Sequence, residues 1–278
     1  MRFTKMHGAG NDYIYVDCFS QDVKNPTHTA KMLSRPHFGI GSDGLVLIKP
    51  SNNADCFMDI YNADGSRAKM CGNAVRCTAK YAYDSGNRKS VIDVDTLSGT
   101  KSVELIYENG NVTGGRVNMG APILNGHLIP TRFGSNIVKS EKLFIDNKDY
   151  EITCLSMGNP HCVVFCDGVN SLDLPKIGPL FEHHEMFPER INTEFVEVKS
   201  SDELTVRVWE RGSGETLACG TGACAAAVAS VINGLSQKGR EIKIKLPGGT
   251  LYADWTENGD VYLTGPAVTV FTGETLDI

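Results

Sequence analysis

Between residues 203 and 209 the apolar side chains Leu204, Val206 and Val208 alternate with polar or charged neighbours, the period of two expected of a strand with one buried face. Residues 241–246 repeat that alternation. Residues 221–232 behave differently. They carry no charge and are built mainly from Ala, Val, Cys and Ile, which predicts a helix surrounded by protein on all sides and ended by Asn233-Gly234. A second helix is predicted from residue 72 to about residue 83, where Val75, Ala79 and Ala82 follow helical spacing and Ser85-Gly86-Asn87 stops it. Shorter strands are expected at residues 44–48, 56–61, 91–97 and 102–107, with Asn62-Ala63-Asp64-Gly65 turning the chain after the second. Residues 3–19 read as strand, glycine-rich turn and strand, the turn running from His7 to Asp12 and exposing Asn11. Residues 153–165 hold strands around Gly158-Asn159-Pro160-His161.

These elements occur twice in the same order. An offset of 148 carries Gly10-Asn11 onto Gly158-Asn159, Asn62 onto Glu210 and Cys71-Gly72 onto Cys219-Gly220. It drifts to 150 where Ser98-Gly99-Thr100 matches Gly248-Gly249-Thr250, and to 149 where Glu108-Asn109-Gly110 matches Glu257-Asn258-Gly259, as small loop insertions would cause. The expected architecture is α+β: two pseudo-symmetric lobes, each a curved, mostly antiparallel sheet wrapped around a central hydrophobic helix. Chain crossings near residues 118–122 and at Gly265-Pro266 give an N-terminal lobe of residues 1–117 plus 266–278 and a C-terminal lobe of 118–265. An active site is expected in the cleft between them.

Composition narrows the class. A chain of 278 residues, 41% hydrophobic, is long enough for two domains. A net charge of -6 with scattered Lys and Arg offers no stripe for nucleic acid or an anionic membrane. Residues 1–8 lack the apolar run of a secretion signal, and the longest apolar stretch, 223–232, is too short to span a bilayer, so a cytoplasmic protein is expected. Nine cysteines, an odd number at uneven spacing, argue against a disulfide framework, and the absence of any Cys-x-x-Cys pair argues against zinc. His161, Cys162 and Cys166 form the nearest cluster and read as buried strand residues.

Cys71 and Cys219 each open a predicted helix. A free thiol titrates near about 8.5, and the positive end of a helix dipole lowers that value, so a thiolate is expected there at neutral pH. The unpaired N–H groups of Gly72, Asn73, Gly220 and Thr221 would hold a carboxylate with its α-carbon between the two sulfurs. One thiolate could remove the α-proton while the other thiol delivers a proton to the opposite face, inverting the centre. Asn11 and Asn159, equivalent in the repeat, read as ligand contacts, and Glu210-Arg211 offers partners for an ammonium and a carboxylate. His161 could tune the site or be a satisfied core histidine. Asp64, Arg67 and Arg76 read as turn and surface residues.

The motifs Met6-His7-Gly8-Ala9-Gly10-Asn11-Asp12, Tyr61-Asn62-Ala63-Asp64-Gly65-Ser66, Cys71-Gly72-Asn73-Ala74-Val75-Arg76-Cys77, Gly158-Asn159-Pro160-His161, Arg190-Ile191-Asn192-Thr193-Glu194-Phe195 and the run from Trp209 through Glu210-Arg211-Gly212-Ser213-Gly214 to Cys219-Gly220-Thr221-Gly222 resemble the diaminopimelate epimerases. The resemblance spans nearly the whole chain. It implies interconversion of LL- and meso-2,6-diaminopimelate in lysine and peptidoglycan biosynthesis, without pyridoxal phosphate, metal or other cofactor. By the same resemblance Cys71 is the proton donor and Cys219 the acceptor in the LL-to-meso direction, supported by His161 and Glu210. Gly72, Asn73, Gly220 and Thr221 hold the reacting carboxylate, while Asn11, Asn62, Asn159, Asn192, Glu210 and Arg211 bind the rest of the substrate. The resemblance also implies a homodimer, with Phe271 near an interface position. This chain has Gly44 where many members of the family it resembles carry glutamine and others the same glycine, and its repeat counterpart Asn192 is intact. A racemase of histidine or proline on the same scaffold, a thiol redox protein and a non-catalytic amino-acid binding module stand as alternatives.

Overall fold

The computed structural model describes residues 1–276 and divides into two compact units, Met1–Asn118 with the stretch from Thr264, and Met119–Leu263. In the first unit β1 (Arg2–Gly8), β2 (Asn11–Asp17), α1 (Pro26–Leu33), β3 (Gly44–Lys49), β4 (Cys56–Asn62), β5 (Arg67–Ala68), α2 (Gly72–Asp84), β6 (Val91–Asp95), β7 (Lys101–Glu108) and β8 (Asn111–Gly120) follow one another. In the second come β9 (Glu141–Ile145), β10 (Lys148–Ser156), β11 (Pro160–Phe165), α3 (Leu174–Glu182), β12 (Asn192–Ser200), β13 (Glu203–Glu210), β14 (Gly214–Thr216), α4 (Gly220–Ile232), β15 (Glu241–Leu246), β16 (Gly249–Trp255) and β17 (Val261–Pro266). The chain returns to the first unit at Thr264, within β17, and continues there as β18 (Val268–Glu274).

Strand pairing repeats between the units. β1 runs antiparallel to β2, β2 parallel to β3, and β3 antiparallel to β4, which pairs with both β5 and β6. The same series of orientations links β10, β11, β12 and β13, with β14 and β15 sharing β13. Even the flanking strand is matched: β18 lies antiparallel to β1 as β9 does to β10, although β18 comes from the end of the chain. Each unit is therefore a mostly antiparallel sheet around one central helix.

The central helices sit where their composition dictates. All of α4 from Gly222 to Ser230 is buried, and it touches β10, β11, β12, β13, β15 and β16. Its alanines allow strands to approach from every side. In α2 the buried face includes Ala74, Val75, Cys77 and Ala79, packed against β1, β2, β4, β6 and β7. Leu204, Val206 and Val208 are wholly buried, as their alternation requires.

Two helices escape the hydrophobic pattern. α1 is short, capped by Asn25, whose side chain accepts from the His28 N–H at 3.1 Å, and has Pro26 in its first turn. α3 carries Gly178 and Pro179, poor helix formers that obscure its periodicity. Both cover the sheet face opposite the central helix. Ile14, Val16, Leu45 and Leu47 pack with Ala30 and Leu33 of α1, whereas Tyr15 turns the other way and donates to the Ala74 carbonyl of α2. In the second unit Cys154, Cys162, Val164 and Phe195 pack with Leu174 and Phe181 of α3. Coverage on both faces explains the unbroken buried runs in β2 and β3.

The turn after β1 is tighter than its glycine-rich sequence predicts. Only Ala9 and Gly10 lie outside strands, both with positive φ, 54° and 81°, the geometry of a two-residue hairpin. Asn11 is thus the first residue of β2 and half-buried, not a turn residue exposed to solvent. Among the described residues no helix is long and apolar enough to cross a membrane, and no group of three or more His, Cys, Asp or Glu is placed to hold a metal ion.

Candidate active site

Cys71 and Cys219 occupy the N-cap positions of α2 and α4, both in extended backbone conformation. In the first unit the Cys71 Sγ–H donates to Asn11 Oδ1 at 3.3 Å, and Asn73 Nδ2 donates to the same oxygen at 3.3 Å. Asn11 is itself held by Asp43, whose Oδ2 accepts from Asn11 Nδ2 at 2.8 Å and from the Asp12 N–H at 3.0 Å. Burial pushes the Asp43 carboxyl up, against those same hydrogen bonds. Tyr13, on β2, reaches both Asn11 and Cys71 with its hydroxyl, and burial, then the proximity of Cys71 and Asp43, holds that phenol well above its usual range. Tyr13 is therefore a neutral donor beside the thiol.

Arg76 is not a surface residue. It is wholly buried, donating from Nη2 to Asn73 Oδ1 at 2.7 Å, from Nη1 to the Gly72 carbonyl at 3.0 Å and from Nε to the Pro266 carbonyl at 3.3 Å. A planar guanidinium can address three acceptors at fixed angles, and here it ties the first turn of α2 to Pro266 at the end of β17. Asn62 ends β4 and donates to Ser66 Oγ at 3.0 Å within its own turn. Opposite it in register is Gly44, where a Cβ would come within 2.1 Å of the Tyr61 carbonyl and 2.9 Å of the Tyr13 ring. Gly44 is thus built into the packing of β4 and Tyr13.

In the second unit a chain of polar contacts leads to Cys219. Glu194 Oε1 meets His161 Nδ1 at 2.8 Å, His161 Nε2 meets Asn159 Oδ1 at 3.0 Å, and Asn159 Nδ2 donates to Thr221 Oγ1 at 3.3 Å. Thr221 Oγ1 lies 3.5 Å from Cys219 Sγ, which also accepts the Gly222 N–H at 3.4 Å. His161 and Glu194 have no solvent exposure. Glu210, at the end of β13, accepts from Thr216 Oγ1 at 2.5 Å and is hydrogen-bonded to Cys219. Burial raises its carboxyl, with Thr216 opposing.

Cys219 itself departs from the expectation of a depressed thiol. Burial pushes it well above its ordinary value, and Glu210 and Glu194 push further, while Thr221 and the Gly222 N–H pull the other way. Helix-end donors are present, but desolvation and two carboxylates outweigh them. The resting side chain is a thiol with a base, Glu210, at hand.

Asn192 gives its amide to the protein: Nδ2 donates to the Pro160 carbonyl at 2.9 Å, and Oδ1 accepts the Arg211 N–H at 2.9 Å. The turn bearing Glu210 and Arg211 is fixed from α3, because Glu182 accepts from Trp209 Nε1 at 2.8 Å and from the Gly212 N–H at 2.9 Å. Trp209 lies flat against Gly178, where a Cβ would fall 2.3 Å from the indole. The Arg211 guanidinium donates to the Glu189 carbonyl at 3.0 Å.

Within the first unit the structure brings Asn11, Cys71, Gly72 and Asn73 together, with Asn62 in its own turn. Within the second it brings together Asn159, His161, Glu210, Cys219, Gly220 and Thr221, with Asn192 and Arg211 joined to each other. Tyr13, Asp43, Arg76 and Glu194 were not among the predicted site residues. The repeat held a signal for one of them, since adding 148 to Tyr13 gives His161.

The model of the diaminopimelate epimerase family matches residues 3–124 and 153–270. A diaminopimelate epimerase of Acetivibrio thermocellus is 56% identical over 276 residues, covering 99% of this chain and 98% of its own. One from Desulfovibrio desulfuricans is 53% identical over 282 residues, with coverage of 99% and 98%. Among solved structures, a probable proline racemase from Agrobacterium radiobacter K84 superposes with a TM-score of 0.71 at 13% identity, covering 99% of this chain and 92% of that one. A phenazine biosynthesis protein of the PhzF family from Bacillus anthracis gives 0.71 at 16%, with coverage of 100% and 99%. At such identities those two share the fold alone. The near full-length identity to named epimerases, in a chain that sets a cysteine at the head of each of two matched helices, places this protein in the diaminopimelate epimerase family.

Proposed function

We propose that this chain interconverts LL- and meso-2,6-diaminopimelate without a cofactor, with Cys71 and Cys219 as the two groups that exchange the α-proton. The observation that carries the reading is the matched N-cap cysteine of α2 and α4 in a member of this family. Inversion needs one group to break the C–H bond and a second to supply a proton to the opposite face. In the LL-to-meso direction the Cys219 proton passes first to Glu210, its hydrogen-bonded neighbour. The Cys219 thiolate then takes the α-proton, and the electron pair left on carbon takes the proton of the Cys71 thiol. Cys71 ends as a thiolate, beside the Tyr13 hydroxyl. The reverse reaction exchanges the roles.

Charge developing on the carboxylate is met by N–H groups in the first turns of α2 and α4, from Gly72, Asn73, Gly220 and Thr221. Asn11 and Asn159 orient these turns and contact substrate. Asn62, Glu210 and Arg211 read the distal amino-acid end, the guanidinium by a bidentate grip on its carboxylate. Asn192 contributes by holding the Arg211 backbone. By family resemblance the chain works as a homodimer in the cytoplasm, which sedimentation and fractionation would test.

Incubation with LL-diaminopimelate in deuterated water, without pyridoxal phosphate or metal, is expected to give meso product labelled at the α-carbon. Cys71→Ala and Cys219→Ala are each expected to slow turnover by about 10²- to 10⁴-fold. Undiminished turnover in either variant would overturn the two-cysteine mechanism. Exchange on proline or histidine in preference to diaminopimelate would overturn the substrate.

A further inference from the structure

We propose that Glu194 is a positioning residue that fixes the direction of the hydrogen-bond relay ending on Cys219. The inference rests on reading Cys219 as an acid–base group, and it assigns work to a side chain that touches no predicted substrate-binding atom. A carboxylate can only accept, so Oε1 draws the Nδ1 proton of His161 at 2.8 Å. Beyond the ring, Asn159 already donates Nδ2 to Thr221 at 3.3 Å, which leaves its carbonyl oxygen facing His161 Nε2 at 3.0 Å. That nitrogen must also donate. In the proposed relay both ring nitrogens of His161 donate, one to Glu194 and one to Asn159, and the Glu194 carboxylate balances the ring. Thr221 Oγ1, accepting from Asn159, has its own hydrogen left for Cys219 Sγ at 3.5 Å. Every donor in the series then points toward the sulfur, the polarity that favours the thiolate.

Two observations argue against a merely structural pair. Glu194 Oε2 is buried with no hydrogen-bond partner, an arrangement that costs stability. The repeat shows that the fold does not need it. At the equivalent register position, opposite Ile60 as Glu194 is opposite Val208, the first unit has Val46, fully buried. His161 is likewise replaced there by Tyr13, whose strand neighbour is Gly44 where that of His161 is Asn192. A buried charged pair has thus been set into one half of a repeat that closes without it in the other. Gly222 makes the room, since a Cβ there would lie 2.7 Å from Glu194 Oε1.

The charged and titratable groups facing Cys219 in its unit are Glu210 from β13, Glu194 from β12 and, through Asn159 and Thr221, His161 from β11. They allow a test by sign. In Glu194→Gln the amide keeps the shape and can still accept from Nδ1, but it no longer balances a doubly protonated ring. His161 then loses the Nε2 proton, Asn159 turns its amide toward that nitrogen, and Thr221 donates to Asn159 in place of Cys219. Losing one hydrogen bond to a charged sulfur is worth about one pH unit, so alkylation of Cys219 by iodoacetamide at pH 8, read by peptide mass spectrometry, is expected to slow about tenfold. Cys71 serves as the internal reference. A nearby charge acting directly, or a loosened core, would instead speed alkylation, and an unchanged or faster rate overturns the proposal. Should the variant fail to fold, nitrogen NMR of the wild-type protein decides: two protonated ring nitrogens on His161 at neutral pH support the relay, and a bare Nε2 overturns it. Neither readout needs turnover, so inactivity of the wild-type chain on diaminopimelate would defeat the epimerase reading separately.

Discussion

Arg76 donates from Nη2 to Asn73 Oδ1 at 2.7 Å, and its guanidinium, with no solvent exposure, holds the first turn of α2 in the orientation that gives Cys71 its neighbours. A lysine could satisfy one of the three acceptors but not all, because its donors radiate from a single point. Arg76→Lys is expected to lower the free energy of unfolding in urea by about 2–4 kcal/mol and to slow epimerisation through a misplaced Asn73. A change below about 0.5 kcal/mol would show that the clamp is not structural.

Gly222 poses a conflict between local and tertiary preference. In the first turn of α4 alanine should favour the helix by about 1 kcal/mol over glycine. A Cβ at this position would sit 2.7 Å from Glu194 Oε1 and 3.3 Å from Cys219 Sγ. Neither neighbour can move without breaking the contacts that define the site. Gly222→Ala should therefore destabilise by about 1–3 kcal/mol and slow turnover, and a more stable, fully active variant would contradict the tight packing.

The central helices were legible because α4 is uncharged for its whole length and α2 has an apolar stripe, signals that survive any context. The thiols at their heads were legible because the repeat places them in register. α1 and α3 were not, since one is too short and the other too rich in Gly and Pro to show a period, and their sheet faces looked like ordinary buried strands. Arg76 and Glu194 escaped for a related reason. A charged residue reads as a surface residue unless its partners are known, and the deciding partners, the Pro266 carbonyl for Arg76 and His161 on the neighbouring strand for Glu194, are assembled only by the fold. The state of Cys219 was not legible because the helix dipole is a local feature, whereas the burial that chiefly opposes it, and the carboxylates of β12 and β13 that add to it, come from the tertiary fold.

Position 44 lends itself to a direct trial of glutamine in place of glycine. Gly44 is not held by an unusual backbone angle; it is held by space, with the Tyr61 carbonyl 2.1 Å and the Tyr13 ring 2.9 Å from where a Cβ would lie. Gly44→Gln would have to shift β4 or expel Tyr13 from its place beside Cys71. The expected loss is about 3 kcal/mol or more, measured by chemical denaturation. An unchanged midpoint would mean that β3 and β4 can separate more easily than their packing implies.

Alkaline pH should expose a cost carried by the core. Cys77, wholly buried on α2, has its thiol pushed up to about 11 by burial, against the opposing influences of Arg76 and Tyr15, from an ordinary value of 9.0. Its folded-state value lies above the unfolded one, so the stability it contributes is intact below about pH 9 and is lost as pH rises through 11. A rise from 9.0 to about 11 corresponds to about 3 kcal/mol. Cys56, pushed up to about 12 by burial, acts in the same direction, so the wild-type slope alone cannot isolate one residue. The difference between wild type and Cys77→Ala can. At pH 8 the variant should be the less stable of the two, having lost buried volume. Between pH 9 and 11 that gap should close or reverse by about 3 kcal/mol, because the alanine protein has no thiol to ionise on unfolding. Urea denaturation at each pH measures it, and a gap independent of pH would show that Cys77 ionises in the folded protein as readily as in the unfolded chain.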